Sequence, residues 1–474
     1  MKFKRLCKFL VLLIAVIIVI SCKKSEEPVA DQLFVSPSEE LFTADGGASD
    51  VTVTSNTQWS ISNSASWCTA TASITNGNGK ISLNVQPNTN TTERSAIIGV
   101  SAGSILKEIK VRQLGRAIGD SIPPDATGMS SNAVQLAVKI KLGINIGNTL
   151  EAIGSETAWG NPKVTKELID LYKQSGFNAV RIPCSWDQYA NASNVIRTDW
   201  LSRVKEVVQY CVDDGMYVVL NIHWDGGWLE NNVTTAKQAA VNAKQKAYWT
   251  QIATALRDFD EHLLFASANE PNASDATQMS VLLSYHQTFI DAVRSTGGHN
   301  NYRVLVVQGP NTDIETTNKL MNTLPVDRTA NRMMVEIHYY TPWNFCGMTK
   351  DESWGNMFYY WGSGYHSTSD PSHNATWGEE NDVDKYMGMM KTKFIDKGIP
   401  VVMGEYGPMR RTNLTGDALT LHLASRAYYL KYVTKQAKAN GILPFLWDTG
   451  GLLNRQNNTV LDQQSLDALV QGAQ

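Results

Sequence analysis

Two glutamates in this sequence each follow a short apolar run of the kind that forms a buried strand. Residues 264–268 lead into Asn269-Glu270, and residues 400–404 lead into Glu405. Because the carboxyl ends of parallel strands open on one face of an alternating α/β fold, side chains that are distant in sequence converge there. A glutamate at one strand end is as often a solvated loop residue, but two such ends predict a site with Glu270 and Glu405 as an acid/base pair.

The elements that must hold this pair are short apolar runs, which alternate with helical patterns from residue 133 onward. Eight such runs are present, and this alternation predicts a (β/α)8 barrel in the α/β class. Nearly all of the runs end in polar or aromatic residues, which packing alone does not require. The residues at these ends are Asn148, Arg181, His223, Asn269 with Glu270, Gln308, His338, Glu405 and Trp447.

Between the runs, apolar residues recur at helical spacing. The first such stretch has Pro162 at its first helical position, Leu168 and Leu171 on one face and Gly176 at its end. Further helices are predicted over residues 199–214, 244–259, 278–295, 383–397 and 419–440. The segment from 343 to 377 is long and rich in aromatic residues, which favours an open cleft for a polymer. Packing of this segment on itself is the alternative.

The composition restricts the function. The chain has 474 residues and a formal net charge of −3, which does not favour nucleic acid or an anionic membrane surface as partner. Eight histidines stand in no zinc-binding spacing and no phosphate-binding glycine loop is present, so no metal and no cofactor is predicted. The cysteines beyond the amino terminus form no disulfide framework, and we expect buried thiols, with one bridge left open. They are Cys68, Cys184, Cys211 and Cys346.

Residues 1–22 have the pattern of a secretory signal. A basic start is followed by an apolar run over residues 9–20, which is short for a membrane-spanning helix. Residues 19–22 resemble a bacterial lipobox, which implies lipid attachment at Cys22 and a place in the cell envelope, anchored to the outer membrane at the cell surface. An uncleaved membrane anchor is the alternative. Residues 23–32 are predicted to form a tether.

Residues 33–115 differ from the rest of the chain in composition and in period. Short apolar runs alternate with Ser, Thr, Asn and Gly at period two, which predicts a small all-β, immunoglobulin-like sandwich. Its recognisable pattern is Gly46-Gly47, residues 56–59, Trp67, residues 88–94 and residues 111–113. This pattern resembles the BACON domain that precedes glycan-degrading enzymes in Bacteroidetes. Trp59 and Trp67 are expected in the core, which favours a spacer over a glycan-binding module, and residues 116–132 form a linker.

Several motifs of residues 133–474 occur together in one family of enzymes. They are residues 143–150, 159–162, 176–178, 181–183, 221–223 and 269–271, the pair His338 and Tyr340, and residues 404–407. This set resembles the endo-acting glucanases of glycoside hydrolase family 5, the cellulase family of clan A. Within it, the likeness is to the branch that cleaves β-1,4-glucan, mixed-linkage β-glucan and xyloglucan. One departure is Trp224, where many relatives carry a second histidine, and this indole is expected to line the glycone side.

The resemblance implies a role for each site residue. Glu270 is implied as general acid and then base, and Glu405 as the nucleophile of a retaining mechanism with carboxyl groups about 5 to 5.5 Å apart. Burial and the charge of Glu405 are expected to raise the pKa of Glu270, and Arg181 and Tyr340 to lower that of Glu405. The residues implied to bind substrate or support the pair are Asn148, Arg181, His223, Trp224, Asn269, His338, Tyr340 and Trp447.

The sequence thus predicts a lipid-anchored, monomeric, retaining endo-β-1,4-glucanase that hydrolyses internal bonds of xyloglucan, mixed-linkage glucan or cellulose-type β-glucan. An endo-β-1,4-mannanase or xylanase on the same barrel shares both glutamates and is one alternative. A non-catalytic surface glycan-binding protein is a second alternative. The presence of both glutamates disfavours it, because a binding protein needs neither.

Overall fold

The computed structural model describes residues 30–44, 46–88, 93–115 and 122–474. The predicted signal segment, the lipid attachment at Cys22 and most of the tether lie outside the described residues. Within those ranges, no helix is long and apolar enough to cross a membrane. The chain forms two compact units, and the boundary between them along the sequence lies between residues 112 and 113, apart from two short segments.

The smaller unit is a β-sandwich of eight strands, as its period-two pattern predicts. They are β1 (Leu33–Ser36), β2 (Glu39–Phe42), β3 (Gly47–Ser55), β4 (Ser60–Asn63), β5 (Cys68–Ala72), β6 (Gly79–Val85), β7 (Arg94–Ala102) and β8 (Ile105–Gln113). One sheet has the order β1-β3-β6-β5 and the other β2-β8-β7-β4. Trp59 is buried as expected, and its Nε1 donates to Gly77 O at 2.8 Å. Trp67 is only half-buried, and the Arg94 guanidinium lies 4.3 Å from its ring centroid.

The larger unit is a closed barrel of eight parallel strands, so the predicted (β/α)8 fold is confirmed. The strands follow one another around the barrel in chain order, and β16 pairs with β9 to close it. They are β9 (Gly143–Asn145), β10 (Ala179–Ile182), β11 (Tyr217–Asn221), β12 (Leu263–Ala266), β13 (Leu305–Gln308), β14 (Met333–Tyr339), β15 (Val401–Tyr406) and β16 (Ile442–Leu446). A short hairpin, β17 (Leu453–Asn454) with β18 (Thr459–Val460), follows.

A helix or helical segment follows each strand of the barrel. The helices are α1 (Ala133–Lys139), α2 (Lys166–Gln174), α3 (Thr198–Asp213), α4 (Gln238–Ala255), α5 (Ala276–Ser295), α6 (Ile314–Leu320), α7 (Trp343–Cys346), α8 (Glu380–Lys393), α9 (Gly416–Ala439) and α10 (Gln463–Ala473). The predicted start of α2 at Pro162 is wrong, because the Thr165 side chain caps the helix by accepting from the Leu168 N–H. Helix α6 is absent from the prediction, since its seven residues show only two buried positions.

The strand ends also differ from the prediction in a way that matters for the site. Arg181, His338 and Glu405 were expected just after their strands, but all three lie inside β10, β14 and β15. Each of these strands is therefore longer than its apolar run. Arg181, His338 and Glu405 are charged or polar, yet they still belong to the hydrogen-bonded ladder, and their side chains reach partners inside the barrel.

The interior of the barrel changes character along each strand. An apolar layer, which includes Ala179, Val219, Val306, Met334 and Val402, packs with buried residues of α1. Two positions further along the same strands the inward residues are polar, because side chains of a strand alternate with period two. They are Arg181, Asn221, Gln308 and Glu336, with Gly404 in β15. The barrel thus has an apolar floor and a polar layer above it.

The aromatic segment between residues 343 and 377 divides into two groups. Phe345, Tyr360 and Trp361 are buried, and the indole of Trp361 packs edge-on against Tyr429 of α9. Trp343, Trp354 and Trp377 are exposed by 51%, 62% and 46%. Half of the segment is therefore a local hydrophobic cluster, and the other half presents indoles on the surface. All four cysteines of the described residues are buried and free: Cys68, Cys184, Cys211 and Cys346.

The amino end of the barrel is closed by polar contacts around α1. Glu261 accepts hydrogen bonds from the Ser131 backbone at 2.7 Å and from Lys139 Nζ at 2.6 Å. Arg303, completely buried before β13, donates to Leu263 O at 2.7 Å and to Phe259 O at 2.6 Å. These contacts tie loops together and involve no group that faces a cleft.

Candidate active site

The carboxyl end of the barrel is organised around Arg181, which is completely buried. Its Nη1 donates to Glu405 Oε1 at 2.9 Å and to Asn145 Oδ1 at 3.0 Å. Its Nη2 donates to Asn269 Oδ1 at 2.8 Å, and its Nε lies 2.9 Å from Glu336 Oε1. One guanidinium therefore fixes side chains from four other strands or strand ends, because its planar fork holds several donors at fixed angles.

Glu405 is the more enclosed of the two candidate catalytic carboxylates. Its side chain is 7% exposed, and Tyr340 donates its phenol O–H to Glu405 Oε2 at 2.9 Å. The pairing of β15 with β14 and with β16 shifts register next to this residue. Such irregularities re-aim side chains, and here they accompany the turn of the Glu405 carboxylate toward Arg181 and Tyr340. The structure brings both predicted partners to Glu405.

Glu270 lies on the loop that follows strand β12 and is far more open, with 44% of its side chain exposed. His338 Nδ1 lies 2.7 Å from Glu270 Oε1 and 3.8 Å from Glu405 Oε2. The backbone N–H of Glu270 donates to Glu230 Oε1 at 2.7 Å. Glu270 thus combines a fixed backbone with a carboxyl group that solvent and a bound polymer can reach.

The two carboxyl groups and His338 titrate as one coupled group. Burial raises the pKa of Glu405, and His338, Arg181 and Tyr340 offset this only in part. Burial also raises the pKa of Glu270, but the hydrogen bond from His338 and the charges of His338 and Arg181 together outweigh it, so this pKa lies below the usual value. The expected order of the two pKa values is therefore wrong for this structure. The sequence offered no hydrogen-bond donor for Glu270, and the barrel supplies His338.

His338 carries the positive charge that the carboxylates share. Burial lowers its pKa, but Glu405, Glu270 and Glu336 together raise it to about 10. Its Nε2 lies 3.2 Å from Glu336 Oε1, so both ring nitrogens face carboxylate oxygens. Both ring nitrogens of His338 therefore carry a proton and act as donors. The proton that the acid/base residue Glu270 uses lies on His338 Nδ1 or is shared between Nδ1 and Glu270 Oε1.

The separation of the pair restricts the chemistry. One carboxylate oxygen of Glu270, one ring nitrogen of His338 and one carboxylate oxygen of Glu405 all lie within 4.8 Å of one another. Retaining glycosidases hold their carboxyl groups about 5 to 5.5 Å apart, and inverting ones hold them about 6.5 to 9.5 Å apart. The close pair therefore fits direct attack by Glu405 on a sugar carbon.

Trp447 and His223 form a flat surface at this end of the barrel. Their rings stack with centroids 5.7 Å apart and planes 9° apart. Gly147 lies against the indole, because a Cβ at that position would be 2.9 Å from Trp447 Cζ2. Burial, together with the charges of Arg181 and His338, lowers the pKa of His223 well below its usual value, so the imidazole is neutral. An uncharged aromatic surface of this kind suits the face of a sugar ring.

Two predicted site residues, Asn148 and Trp224, make no hydrogen bond, ion pair or ring contact with any other predicted site residue within the described part of the chain. Asn148 has a φ of 60°, its backbone N–H donates to Glu151, and its carbonyl accepts from Asn161 Nδ2 at 3.0 Å. Its observed role is therefore to shape a turn. Trp224 is 44% exposed beside Gly227. The substrate contacts expected for both residues stay predictions.

Three buried residues of the site were missed by the sequence reasoning, and a fourth, Gln308, was placed at a strand end but given no role. Asn145 and Glu336 bind Arg181, Gln308 Nε2 donates to Glu336 Oε2 at 2.6 Å, and Glu230 holds the Glu270 backbone. The signal for Glu336 was present, because positions 336, 338 and 340 share one side of a strand at period two. No sequence signal identified Glu230, which lies on a loop after β11.

Two segments of the chain match known protein families. The family described as "Cellulase (glycosyl hydrolase family 5)" matches residues 144–452, and the "Viral BACON domain" matches residues 32–116. A curated protein, the xyloglucan-specific endo-beta-1,4-glucanase BoGH5A of Bacteroides ovatus, is 36% identical over 480 residues. That alignment covers 96% of this chain and 94% of the relative.

Two solved structures are similar to the chain. A Bacteroides ovatus GH5 xyloglucanase in complex with a XXXG heptasaccharide has a TM-score of 0.71 and 34% identity, and covers 94% of this chain and 100% of its own. XEG5B, a GH5 xyloglucan-specific beta-1,4-glucanase from a ruminal metagenomic library, has a TM-score of 0.68 and 41% identity. It covers 72% of this chain and 96% of its own.

Proposed function

Because this chain belongs to glycosyl hydrolase family 5, the cellulase family, we propose that it is a retaining endo-β-1,4-glucanase acting on xyloglucan. The observation that carries the proposal is the pair Glu270 and Glu405, whose oxygens approach within 4.8 Å in unlike surroundings. The reaction class follows from the family. The choice of xyloglucan among β-glucans rests on the similar proteins, three of which are named as xyloglucanases or xyloglucan-specific glucanases.

In the first half of the proposed reaction, Glu405 is the nucleophile. Arg181 and Tyr340 hold its carboxylate in a single orientation, with one donor on each oxygen. Attack on C1 of the sugar forms a glycosyl ester with Glu405 as the C1–O bond to the leaving sugar breaks. Glu270 delivers to the departing oxygen the proton that it shares with His338 Nδ1, and the open position of its side chain allows the polymer to reach it.

In the second half, water replaces the leaving sugar. The Glu270 carboxylate takes a proton from this water as its oxygen bonds to C1 and the ester bond to Glu405 breaks. His338, which lies 2.7 Å from Glu270 Oε1, stabilises the carboxylate form of Glu270 between the two halves. Each complete cycle consumes one water and returns every proton to the site.

We propose that substrate is cut at internal bonds because the exposed indoles suit a chain that extends beyond the cleft on both sides. Trp343 and Trp354 of the aromatic segment and Trp224 after β11 present their rings to solvent. Such rings favour stacking with sugars, and contacts at several points along a polymer hold it without enclosing an end. Endo-β-1,4-mannanase and xylanase activities are outcomes that the test below distinguishes.

The test is product analysis with the purified protein on xyloglucan, mixed-linkage glucan, carboxymethylcellulose, mannan and xylan. We expect xyloglucan oligosaccharides and an early loss of viscosity, with retention of the β configuration in the first products by NMR. Fastest cleavage of mannan or xylan would overturn the substrate assignment. Binding to a glucan without any cleavage would favour the glycan-binding alternative.

We also propose that the protein is a monomer, lipid-anchored to the outer membrane through Cys22, with the BACON-like unit as a spacer. The basic and apolar pattern of residues 1–22 supports this location. Cells supplied with labelled palmitate should label the wild-type protein but not Cys22→Ser, and protease added to intact cells should remove the activity. A labelled Cys22→Ser variant, or activity that survives protease, would contradict the anchor or the surface location.

A further inference from the structure

Glu336 is a third buried carboxylate below the active site, and the roles assigned above leave it unused. It is completely buried on β14, between the candidate catalytic pair and the apolar floor of the barrel. A buried carboxylate without a partner is costly, so its position requires compensation. Arg181 and His338 supply that compensation as cations, and Gln308 supplies a neutral donor.

Neighbouring strands hold the Glu336 side chain in one orientation. Gly404 on the neighbouring strand β15 has no room for a Cβ, which would lie 1.9 Å from Glu336 Oε1. Gln308 Nε2 donates to Glu336 Oε2 at 2.6 Å, and Gln308 is itself held by the Ala268 N–H at 2.8 Å. Three strands therefore fix the carboxylate with Oε1 turned toward His338 and Arg181.

We propose that Glu336 is a positioning residue for the acid/base half of the reaction. It keeps a proton on His338 Nε2, directs His338 Nδ1 at Glu270, and by its negative charge retains the proton that the Glu270–His338 pair delivers to the leaving oxygen. This inference rests on the proposed function. Over a full cycle that proton passes to the leaving sugar and is replaced from the attacking water, so the pair ends as it began.

The direction of the effect follows from the charges. Glu336 lies on the far side of the imidazole from Glu270, and an anion there opposes proton loss from either group. Both effects have the same sign, because Glu336 raises the pKa of His338 and also that of Glu270. Burial raises the pKa of Glu336 itself, but Arg181 and His338 outweigh it, so Glu336 stays ionised.

The other titratable groups near Glu336 are distinguished from it by their charge and their position. Across the barrel, Arg181 stays charged, and Tyr340 and His223 stay neutral, since burial raises the pKa of Tyr340 and lowers that of His223. Glu405 on β15 is the proposed nucleophile and must be ionised, so its titration affects the acid side of the pH profile of activity. Glu230, whose pKa burial raises to about 7, accepts from the Glu270 backbone N–H, hydrogen-bonds with Asn269 and is affected by the charges of Glu270 and Glu405, so it is tested separately below.

The test is the pH dependence of kcat/KM for Glu336→Gln in the full chain on xyloglucan. The alkaline limb of this pH profile is the range in which kcat/KM falls as pH rises. Loss of the negative charge of Glu336 should move this limb to lower pH by about one unit or more. Glu336→Asp keeps the charge and should return the limb toward that of the wild type, even if kcat stays low. Glu261→Gln, a buried carboxylate at the other end of the barrel, is the matched control and should leave the limb in place.

A second substrate separates proton delivery from folding. Cellobiosides with a dinitrophenyl leaving group need no proton, so wild type and Glu336→Gln should show no difference in their alkaline limbs on this substrate. A Glu336→Gln enzyme that is slower at every pH, with an unmoved limb on xyloglucan, would overturn the inference. That result leaves the proposed function intact, whereas failure of the wild type to cleave any glucan removes the proposed function.

The wild-type protein offers an independent measurement if the variants do not fold. With nitrogen-labelled histidine, the NMR signals of His338 should show a proton on Nε2 throughout the pH range of activity. Above the alkaline limb, only Nδ1 should lose its proton. A spectrum in which Nε2 is the unprotonated nitrogen would contradict the role given to Glu336.

Discussion

Arg181 and Arg303 are both completely buried in one barrel, yet they serve its two ends differently. At the carboxyl end, burial lowers the pKa of Arg181, but Glu336 and Glu405 outweigh it and raise the pKa above the usual value. At the amino end, Arg303 donates to main-chain carbonyls, and burial lowers its pKa to about 9. A cation among carbonyls ties loops together, whereas a cation among carboxylates also sets their charge.

The two ends also differ in their buried glutamates. Burial raises the pKa of Glu230, near the catalytic pair, to about 7. Burial also raises the pKa of Glu261, at the amino end, but Lys139 and Ser131 outweigh it and lower this pKa below the usual value. Of these two glutamates, the one at the carboxyl end is costly to ionise and the one at the amino end is paired with a cation, which is the reverse of the two arginines. A division between activity and stability is expected for the two faces of such a barrel.

The largest effect is expected for Glu405→Gln. The amide keeps the shape of the side chain but cannot form the glycosyl ester, so kcat should fall by about 10⁴-fold or more. Polymer binding should remain, which affinity electrophoresis in xyloglucan measures. Glu261→Gln serves as the control with wild-type kcat. Turnover by Glu405→Gln at a wild-type rate would remove Glu405 as the nucleophile.

The two arginines should separate activity from stability. Arg181→Lys keeps a charge but loses the fork, and we expect kcat to fall by about 10²-fold. Arg303→Lys leaves buried carbonyls without donors and should lower the free energy of unfolding by about 3 kcal/mol, with kcat of the folded protein unchanged. Urea unfolding and initial rates measure the two quantities. A stable Arg303→Lys or a fully active Arg181→Lys would break the comparison.

Glu230 and Glu261 should respond to pH with opposite signs. The pKa of Glu230 is raised in the folded protein. The contribution of Glu230 to the free energy of unfolding is therefore fully present below the pKa of an unfolded glutamate and is lost as pH rises through about 7. Glu230→Gln should therefore be more stable than wild type at pH 8 by about 2 kcal/mol, with no difference at pH 4.

Glu261 has a lowered pKa, so its contribution is present above the unfolded value and is lost as pH falls. Glu261→Gln should accordingly be less stable than wild type at pH 7 and should converge with it near pH 3. Thermal unfolding of both variants across pH gives the two slopes. Slopes of the same sign would show that the two ends do not differ in this respect.

The smallest effect is expected at the stacking surface. Trp447→Ala removes the indole that packs on His223, and KM for xyloglucan should rise about fivefold, equivalent to roughly 1 kcal/mol. Trp447→Phe keeps a smaller aromatic face and should recover part of this loss. An unchanged KM in Trp447→Ala would show that the sugar does not rest on this ring.

Much of the barrel was predictable because its strands are buried apolar runs and its helices are amphipathic. All eight strands were anticipated, and the catalytic candidates Glu270 and Glu405 were identified from their place at strand ends. The exact ends were wrong at Arg181, His338 and Glu405. The apolar pattern that marks a strand in the sequence ends where the strand continues with charged residues, although the hydrogen-bonded ladder does not end there.

The order of the pKa values was beyond sequence reasoning for a related reason. The sequence predicted Arg181 and Tyr340 as partners of Glu405, and both are. It gave His338 a general positioning role and did not show that Glu336 lies behind it. Whether a carboxyl gains or loses a proton depends on the nearest donor and on burial, and neither is a local property of the chain.

The sequence by itself indicated the eight strands of the barrel, most of its helices and their alternation, and it placed two glutamates at the ends of strands that open on one face. Only the closed barrel decided that Arg181 meets Glu405, Glu336 and Asn145, and that His338 bridges Glu270 to Glu336. The physical reason is that these contacts join strands far apart in the chain. Their distances are set by barrel closure and by the register shifts of β15, and no local pattern encodes either.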